Sequence, residues 1–269
     1  PGGLIIDQQR SSHKWISTAR YNTMLCLIDE NGTPWDNSDD RIKSRSQWTD
    51  QQGRSLTPGF IFQMLQDSQG RVWIATDFGA AYIAPETDFF TSDAIVRPVV
   101  TDENGENPIQ EQRISAISES ADGDIWIGTE DLGIYVLNST CTEIIAHYTT
   151  DNSAMPSNTI LSLAGDEEGT VWIGTSEGLV AYAPGEGETA KGEGREAKGE
   201  SSLDPGEMKQ WKLHFSYSNV KEVAASPNHL YALTQGALFS VDRTDETTTR
   251  WSKATGLNGS TIAHIAYDS

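Results

Sequence analysis

Carboxylates are the side chains here whose types and spacing could do chemistry. Asp122-Gly123-Asp124 and Asp166-Glu167-Glu168-Gly169 crowd acids into short stretches. Calcium is the first chemistry such clusters suggest. A calcium loop of the EF-hand kind needs oxygen ligands at several fixed positions and a closing Glu. Neither stretch supplies that series, and Asp-Gly at a tight hairpin turn accounts for both. No metal site is expected. Two acids facing each other could also serve as the acid/base pair of a glycoside-cleaving enzyme. Nothing else supports catalysis. The five histidines, His13, His147, His214, His229 and His264, lie in unrelated segments. There is no Gly-x-Ser-x-Gly elbow, His-Glu-x-x-His or phosphate loop. No catalytic residue and no cofactor are expected, so the chain reads as a non-enzyme. Cys26 and Cys141 fit no metal spacing or disulfide framework and read as plain buried thiols.

Composition narrows the partners. The 269 residues carry a net charge of −20, which repels phosphate backbones and anionic lipid surfaces. Nucleic acid is therefore excluded as a partner. No apolar run reaches the roughly 18 residues of a membrane helix, so direct membrane insertion is not expected. No signal peptide is read in this sequence, and the start at Pro1-Gly2-Gly3-Leu4 suggests processing, or excision from a longer protein.

The elements that must position any site come from a repeat. Asp166 to Leu179 runs Asp-Glu-Glu-Gly-Thr-Val-Trp-Ile-Gly-Thr-Ser-Glu-Gly-Leu. Asp122 to Thr129 and Asp67 to Thr76 are close copies. Trp15, Trp73, Trp126, Trp172 and Tyr231 mark five units, spaced 58, 53, 46 and 59 residues apart. Upstream of the aromatic lie Ile61 to Met64, Ile114 to Ile117, Ile160 to Leu163 and, more weakly, Val220 to Val223. Downstream come Gly79 to Ile83, Gly133 to Leu137, Gly178 to Tyr182 and Gly236 to Val241. Outer strands are expected around Trp48, Tyr148 and Trp251, with Val99-Val100 in that place in the second unit. A four-stranded antiparallel sheet repeated at this period is a β-propeller blade. The fold expected is all-β, with about five blades. The strand tryptophans should pack between neighbouring sheets, and Gly128 and Gly174 should admit the next blade closely. Ala75 replaces that glycine in the second unit.

The chain divides by composition. Residues 1–184 read as blades centred on Trp15, Trp73, Trp126 and Trp172. Residues 185–210 are a low-complexity Gly/Glu/Lys run, expected to be a flexible linker. Residues 211–269 read as a divergent blade followed by the first strand of the next. Leu4 to Asp7 matches the second half of an inner strand, and Ile262 to Asp268 a whole one. The chain is thus expected to be an incomplete set from a parent of about seven blades, able to self-associate through open blade edges.

The pattern Ile-x-x-Ile-x-x-Asp-x-x-Gly-x-Val/Ile-Trp-Ile-Gly-Thr-x-x-Gly-Leu resembles the two-component regulator propeller repeat. That family forms large extracytoplasmic sensor regions of hybrid histidine kinases, especially in Bacteroidetes. The resemblance implies paired seven-bladed propellers, glycan responsiveness and a periplasmic or cell-surface location. Any kinase activity would belong to another part of a parent protein. The segment from Trp211-Lys212-Leu213-His214 through Ser240-Val241-Asp242-Arg243 to Gly256-Leu257-Asn258-Gly259 is similar to PorZ-type propellers, surface accessories of type IX secretion. Partners implied are an oligosaccharide or peptide ligand and the parent's other propeller or domains.

In propellers, loops on one face ring the axis. Here the loop just after the repeat's threonine is expected there. It contributes Arg20, Tyr21 and Asn22, then Asp77 and Phe78, then Glu130 and Asp131, then Ser176 and Glu177. Acidic and aromatic groups at such a rim suit a sugar or a basic peptide.

Overall fold

The computed structural model describes residues 3–18, 24–102, 104–166, 168–183, 211–215, 219–234, 237–245, 247–251, 262, 264 and 265. The chain divides into two units, residues 1–117 and 118–269. All named elements among the described residues are strands.

In the first unit, β1 (Leu4–Ile6), β2 (His13–Ser17), β3 (Leu25–Asp29) and β4 (Arg41–Arg45) form one antiparallel sheet in chain order. Next comes a separate hairpin of β5 (Trp48–Thr49) and β6 (Ser55–Leu56). β7 (Ile61–Gln66), β8 (Val72–Thr76) and β9 (Gly79–Ile83) make a three-stranded sheet, and an antiparallel bridge from Tyr82 to Val96 takes the fourth place. The unit boundary falls inside β10 (Ile114–Glu119). That strand opens a sheet continued by β11 (Ile125–Thr129), β12 (Ile134–Leu137) and β13 (Ile144–Tyr148). β14 (Ile160–Gly165), β15 (Val171–Thr175), β16 (Leu179–Tyr182) and β17 (Trp211–Phe215) follow as a fourth sheet. The fifth holds β18 (Glu222–Ala225), β19 (His229–Leu233), β20 (Leu238–Asp242) and β21 (Thr248–Trp251). These sheets are β-propeller blades, five of them among the described residues.

Several expectations are corrected. The outer strand of the first blade is β4, not the segment around Trp48. Trp48 pairs with Leu56 in the extra hairpin and is fully buried in the first unit's core. The outer position of the second blade falls at Val96, not Val99-Val100; Val99 is exposed. Trp211 does not open a new blade: β17 pairs with β16 through Tyr182↔Trp211 and completes the fourth sheet. The expected linker at 185–210 lies outside the described residues. Cys26 is half-buried, since strand alternation turns it away from the side on which Leu25 and Leu27 are buried. Cys141 is buried.

The fragmentary inner strands read at the two ends differ in outcome. The register Ile5↔Trp15 repeats Ala164↔Trp172, so β1 is the inner strand of its blade. Of the last segment only Ile262, His264 and Ile265 are described. The Ile265 N–H donates to Glu222 Oε2 at 2.8 Å. At matching repeat positions, the Ile117 N–H donates to Gln63 Oε1 at 2.8 Å. The same inner-strand contact thus recurs after the fifth blade.

Hydrophobic burial holds each unit together. In the first, Trp15, Leu25, Leu27, Trp48, Ile74 and Phe89 share one core. In the second, Trp126, Tyr148, Tyr182 and Trp211 form an aromatic cluster with ring centroids 5.0–5.6 Å apart. Trp126 and Tyr182 belong to consecutive blades, so the strand tryptophan fills the space between sheets as expected. Gly174 also meets its expectation. A Cβ there would lie 2.7 Å from the Val220 carbonyl oxygen of the next blade and 2.3 Å from Ser162 Oγ.

Candidate functional site

The repeat's acids are committed to the backbone. Asp67 Oδ1 accepts the N–H groups of Gln69 and Arg71, and Asp166 Oδ1 those of Glu168 and Thr170. Asp50 and Asp102 do the same for the turns at 50–54 and 102–106. In all four, the third residue after Asp is a glycine at φ between 77° and 87°, the left-handed region glycine enters at no steric cost. These acids are therefore Asx caps of five-residue turns, longer than the two-residue hairpin expected.

The second carboxylate oxygen reaches the strand. Trp73 Nε1 donates to Asp67 Oδ2 at 2.7 Å, Trp172 Nε1 to Asp166 Oδ2 at 2.9 Å, and Trp15 Nε1 to Asp7 Oδ2 at 3.2 Å. An arginine joins the first two. Arg71 from the same turn reaches Asp67, and Arg243 from the following blade reaches Asp166 at 2.8 Å. At Asp7 the added donor is Gln66. Burial pushes the Asp7 carboxyl up, yet the bonds from Gln66, Trp15 and the Gln9 and Arg10 backbone outweigh it and hold the group below its ordinary value.

At the other end of the tryptophan strand the buried threonine folds back on its own hairpin. Thr76 Oγ1 donates to the Gly79 carbonyl and accepts the Phe78 N–H. Thr129 does the same with Gly133 and Leu132. Thr175 does so with Gly178 and Glu177. Each hydroxyl thus fixes the residues that follow it.

Those residues differ between blades. In the first unit, Asp77 accepts the N–H groups of Gly59 and Phe60, both at 3.2 Å, so its carboxylate joins the rim loop to the start of β7. Phe78 beside it is exposed. The Phe78 carbonyl accepts Arg97 Nη2 at 2.8 Å. Arg97 is buried, and desolvation lowers its pKa. In the second unit, Glu130 and Asp131 are exposed at the turn before β12, and Glu177 at the turn before β16. Ser176 is half-buried; its Oγ lies 2.8 Å from Ser157 Oγ and its carbonyl accepts the Asn219 N–H. The approach to β14 runs between these two loops: Asn158 accepts the Gly133 N–H and Thr159 the Ser176 N–H. Arg20, Tyr21 and Asn22 lie outside the described residues. Sequence reasoning missed Phe60, Phe62 and Arg113, which flank the same loop in the first unit. Their signal was position: Phe60 and Arg113 each stand one residue before an inner strand.

Residues 55–78, 108–131 and 154–177 match the two component regulator propeller family. These three segments are similar to two-component regulator propeller repeats. Each matched segment ends inside a post-threonine loop, so the repeat unit and the inner-strand-to-rim unit coincide. No relative among curated proteins matches the chain. Among solved structures, the extracellular domain of a hybrid two component system from B. thetaiotaomicron is similar at 16% identity and TM-score 0.61. The match covers 93% of this chain and 30% of that one. PorZ, a surface component of the type-IX secretion system of Porphyromonas gingivalis, is similar at 17% identity and TM-score 0.57, over 93% and 38%. The Pan2 WD40 domain of Neurospora crassa is similar at 10% identity and TM-score 0.54, over 93% and 64%. At these identities the likeness shows the propeller fold. The chain spans about a third of the length of the first two. Among the described residues no helix is long and apolar enough to cross a membrane.

Proposed function

We propose that the chain is a non-enzymatic, ligand-binding or scaffold part of an extracytoplasmic sensor region in a two-component system, with an oligosaccharide as its ligand. The observation that carries this is the division of labour inside the repeat. Asp, Trp and Thr are occupied in building the blade, while the residues just after Thr differ in each copy and put Phe78, Glu130, Asp131 and Glu177 in the open. Variation on a fixed scaffold is where propellers carry recognition. The acidic and aromatic residues there suit hydroxyl groups and the apolar face of a sugar ring. The three matched repeats and the likeness to a sensor extracellular domain support the location.

The likeness to PorZ supports a second reading, an accessory role in protein secretion. The coding sequence downstream separates the two. A membrane helix followed by a kinase fits the sensor, and a second propeller with a terminal β-domain fits the secretion component. Incubation with a polysaccharide panel tests the non-enzyme reading. Reducing-end release that disappears on changing one rim carboxylate would overturn it.

A further inference from the structure

The phenyl rings of the first unit follow a pattern. Residues 1–117 contain five phenylalanines. The Arg41 guanidinium sits 3.9 Å from the centroid of Phe90, Arg45 5.4 Å from Phe89, and Arg113 4.5 Å from Phe62. Phe60 and Phe78 remain, and they are the most exposed, at 48% and 46%. Among the described residues no guanidinium is placed over either. Phe60 stacks on Phe62, with centroids 5.8 Å apart and planes 18° from parallel. Asp77 ties the two residues together: it adjoins Phe78 in sequence and accepts the Phe60 N–H at 3.2 Å.

From this arrangement we infer that Phe60, Phe78 and Asp77 form a site for a cationic side chain, arginine or lysine, of a peptide or protein partner. A phenyl face attracts a cation through its quadrupole, and guanidinium most readily, because it is weakly hydrated and planar. This unit already places guanidinium on three of its five rings. The Asp77 carboxylate supplies the opposite charge, and the chain's net charge of −20 favours a basic partner at long range. The loop is fixed beforehand by Thr76 within it and Arg97 beneath it, so little ordering entropy is lost on binding. The site extends the reading of the post-threonine loops as a binding rim and rests on it, but names a different ligand for this blade.

The test titrates the full chain calorimetrically with acetyl-Gly-Arg-Gly-Arg-Gly-amide and with the peptide bearing citrulline for arginine, which keeps the shape and removes the charge. Saturable binding of the arginine peptide, weakened by salt, with at least tenfold weaker binding of the citrulline peptide, is expected. Phe60→Leu keeps an apolar side chain without a ring face and should lower affinity roughly tenfold. Asp77→Asn removes the charge, keeps one of the two oxygens that accept the Gly59 and Phe60 N–H groups, and should weaken binding several-fold. Equal binding of both peptides, binding of neither, or binding indifferent to Phe60→Leu and Phe78→Leu would overturn the inference. A parallel oligosaccharide titration separates the two failures: sugar binding with no peptide binding removes this site and leaves the proposed function standing.

Discussion

Trp172 and Asp166 are joined by a hydrogen bond from indole Nε1 to Oδ2 of 2.9 Å, and the same carboxylate caps its own turn through Oδ1. One side chain therefore locks the turn to the strand it starts. The bond recurs at Trp73–Asp67 and Trp15–Asp7. The third blade has Ser120 at the Asp position, and its Trp126 packs against Tyr148 and Tyr182.

Removing the shared acceptor should be costly. Asp67→Ala leaves the Trp73 indole, the Arg71 guanidinium and two turn N–H groups without their carboxylate. A loss of about 3 kcal/mol is expected from urea denaturation. Ser120→Ala in the third blade should cost well under half of that.

Acid should unfold the chain partly through Asp7. Its folded pKa is depressed, so the stability it contributes is fully present above the unfolded carboxyl value, near 3.9, and is lost as pH falls through the lower folded value. Asp50 and Asp29 act in the same direction, burial being outweighed by bonds that include Arg54 and Ser12. Asp124 acts oppositely: burial and neighbouring Asp122 raise its pKa, so its ionisation in the folded state works against stability as pH rises. Thermal melts from pH 3 to 7 should show Asp7→Asn flattening the acid limb, and Asp124→Asn raising the midpoint at pH 7.

The interblade approach at Gly174 can be probed by adding one methyl. A Cβ would meet the Val220 carbonyl at 2.7 Å, and backbone cannot swing aside as a side chain can. Gly174→Ala is expected to destabilise by about 1–3 kcal/mol. The second blade already carries Ala75 at the corresponding place, fully buried.

The threonine clamp should matter for both stability and recognition. Thr175→Val keeps the volume but removes the acceptor for the Glu177 and Gly178 N–H groups. A loss of about 1–2 kcal/mol is expected. Faster amide exchange should be confined to the 176–178 turn.

Much of this was legible in the residues. The repeat gave the inner strands, and each aromatic centre sits in its strand because alternation and turn residues are local signals. Contacts between distant segments were not legible. Trp48 looked like an outer strand because an aromatic in a β-prone run does not reveal its partner; the register Leu25↔Arg45 closes the blade earlier. Trp211 looked like a new start because 27 residues of low-complexity chain separate it from Ala183, yet it pairs with Tyr182. The Asp–Trp bond escaped because spacing reports which face a residue occupies, not which atom its side chain reaches. At the rim, the loops could be located from the threonine, but Phe60 and Arg113 stand just before two inner strands, and only pairing such as Ile61↔Thr76 brings Phe60 beside the loop.

Ligand binding by the post-threonine loops can be measured by isothermal titration of the full chain with a panel of neutral oligosaccharides. The comparison protein is a variant carrying Asp77→Asn, Glu130→Gln, Asp131→Asn and Glu177→Gln with an unchanged melting profile. Saturable heat with at least one oligosaccharide, lost in the variant, is expected. Uniformly null heats, or binding that survives all four substitutions, would contradict it.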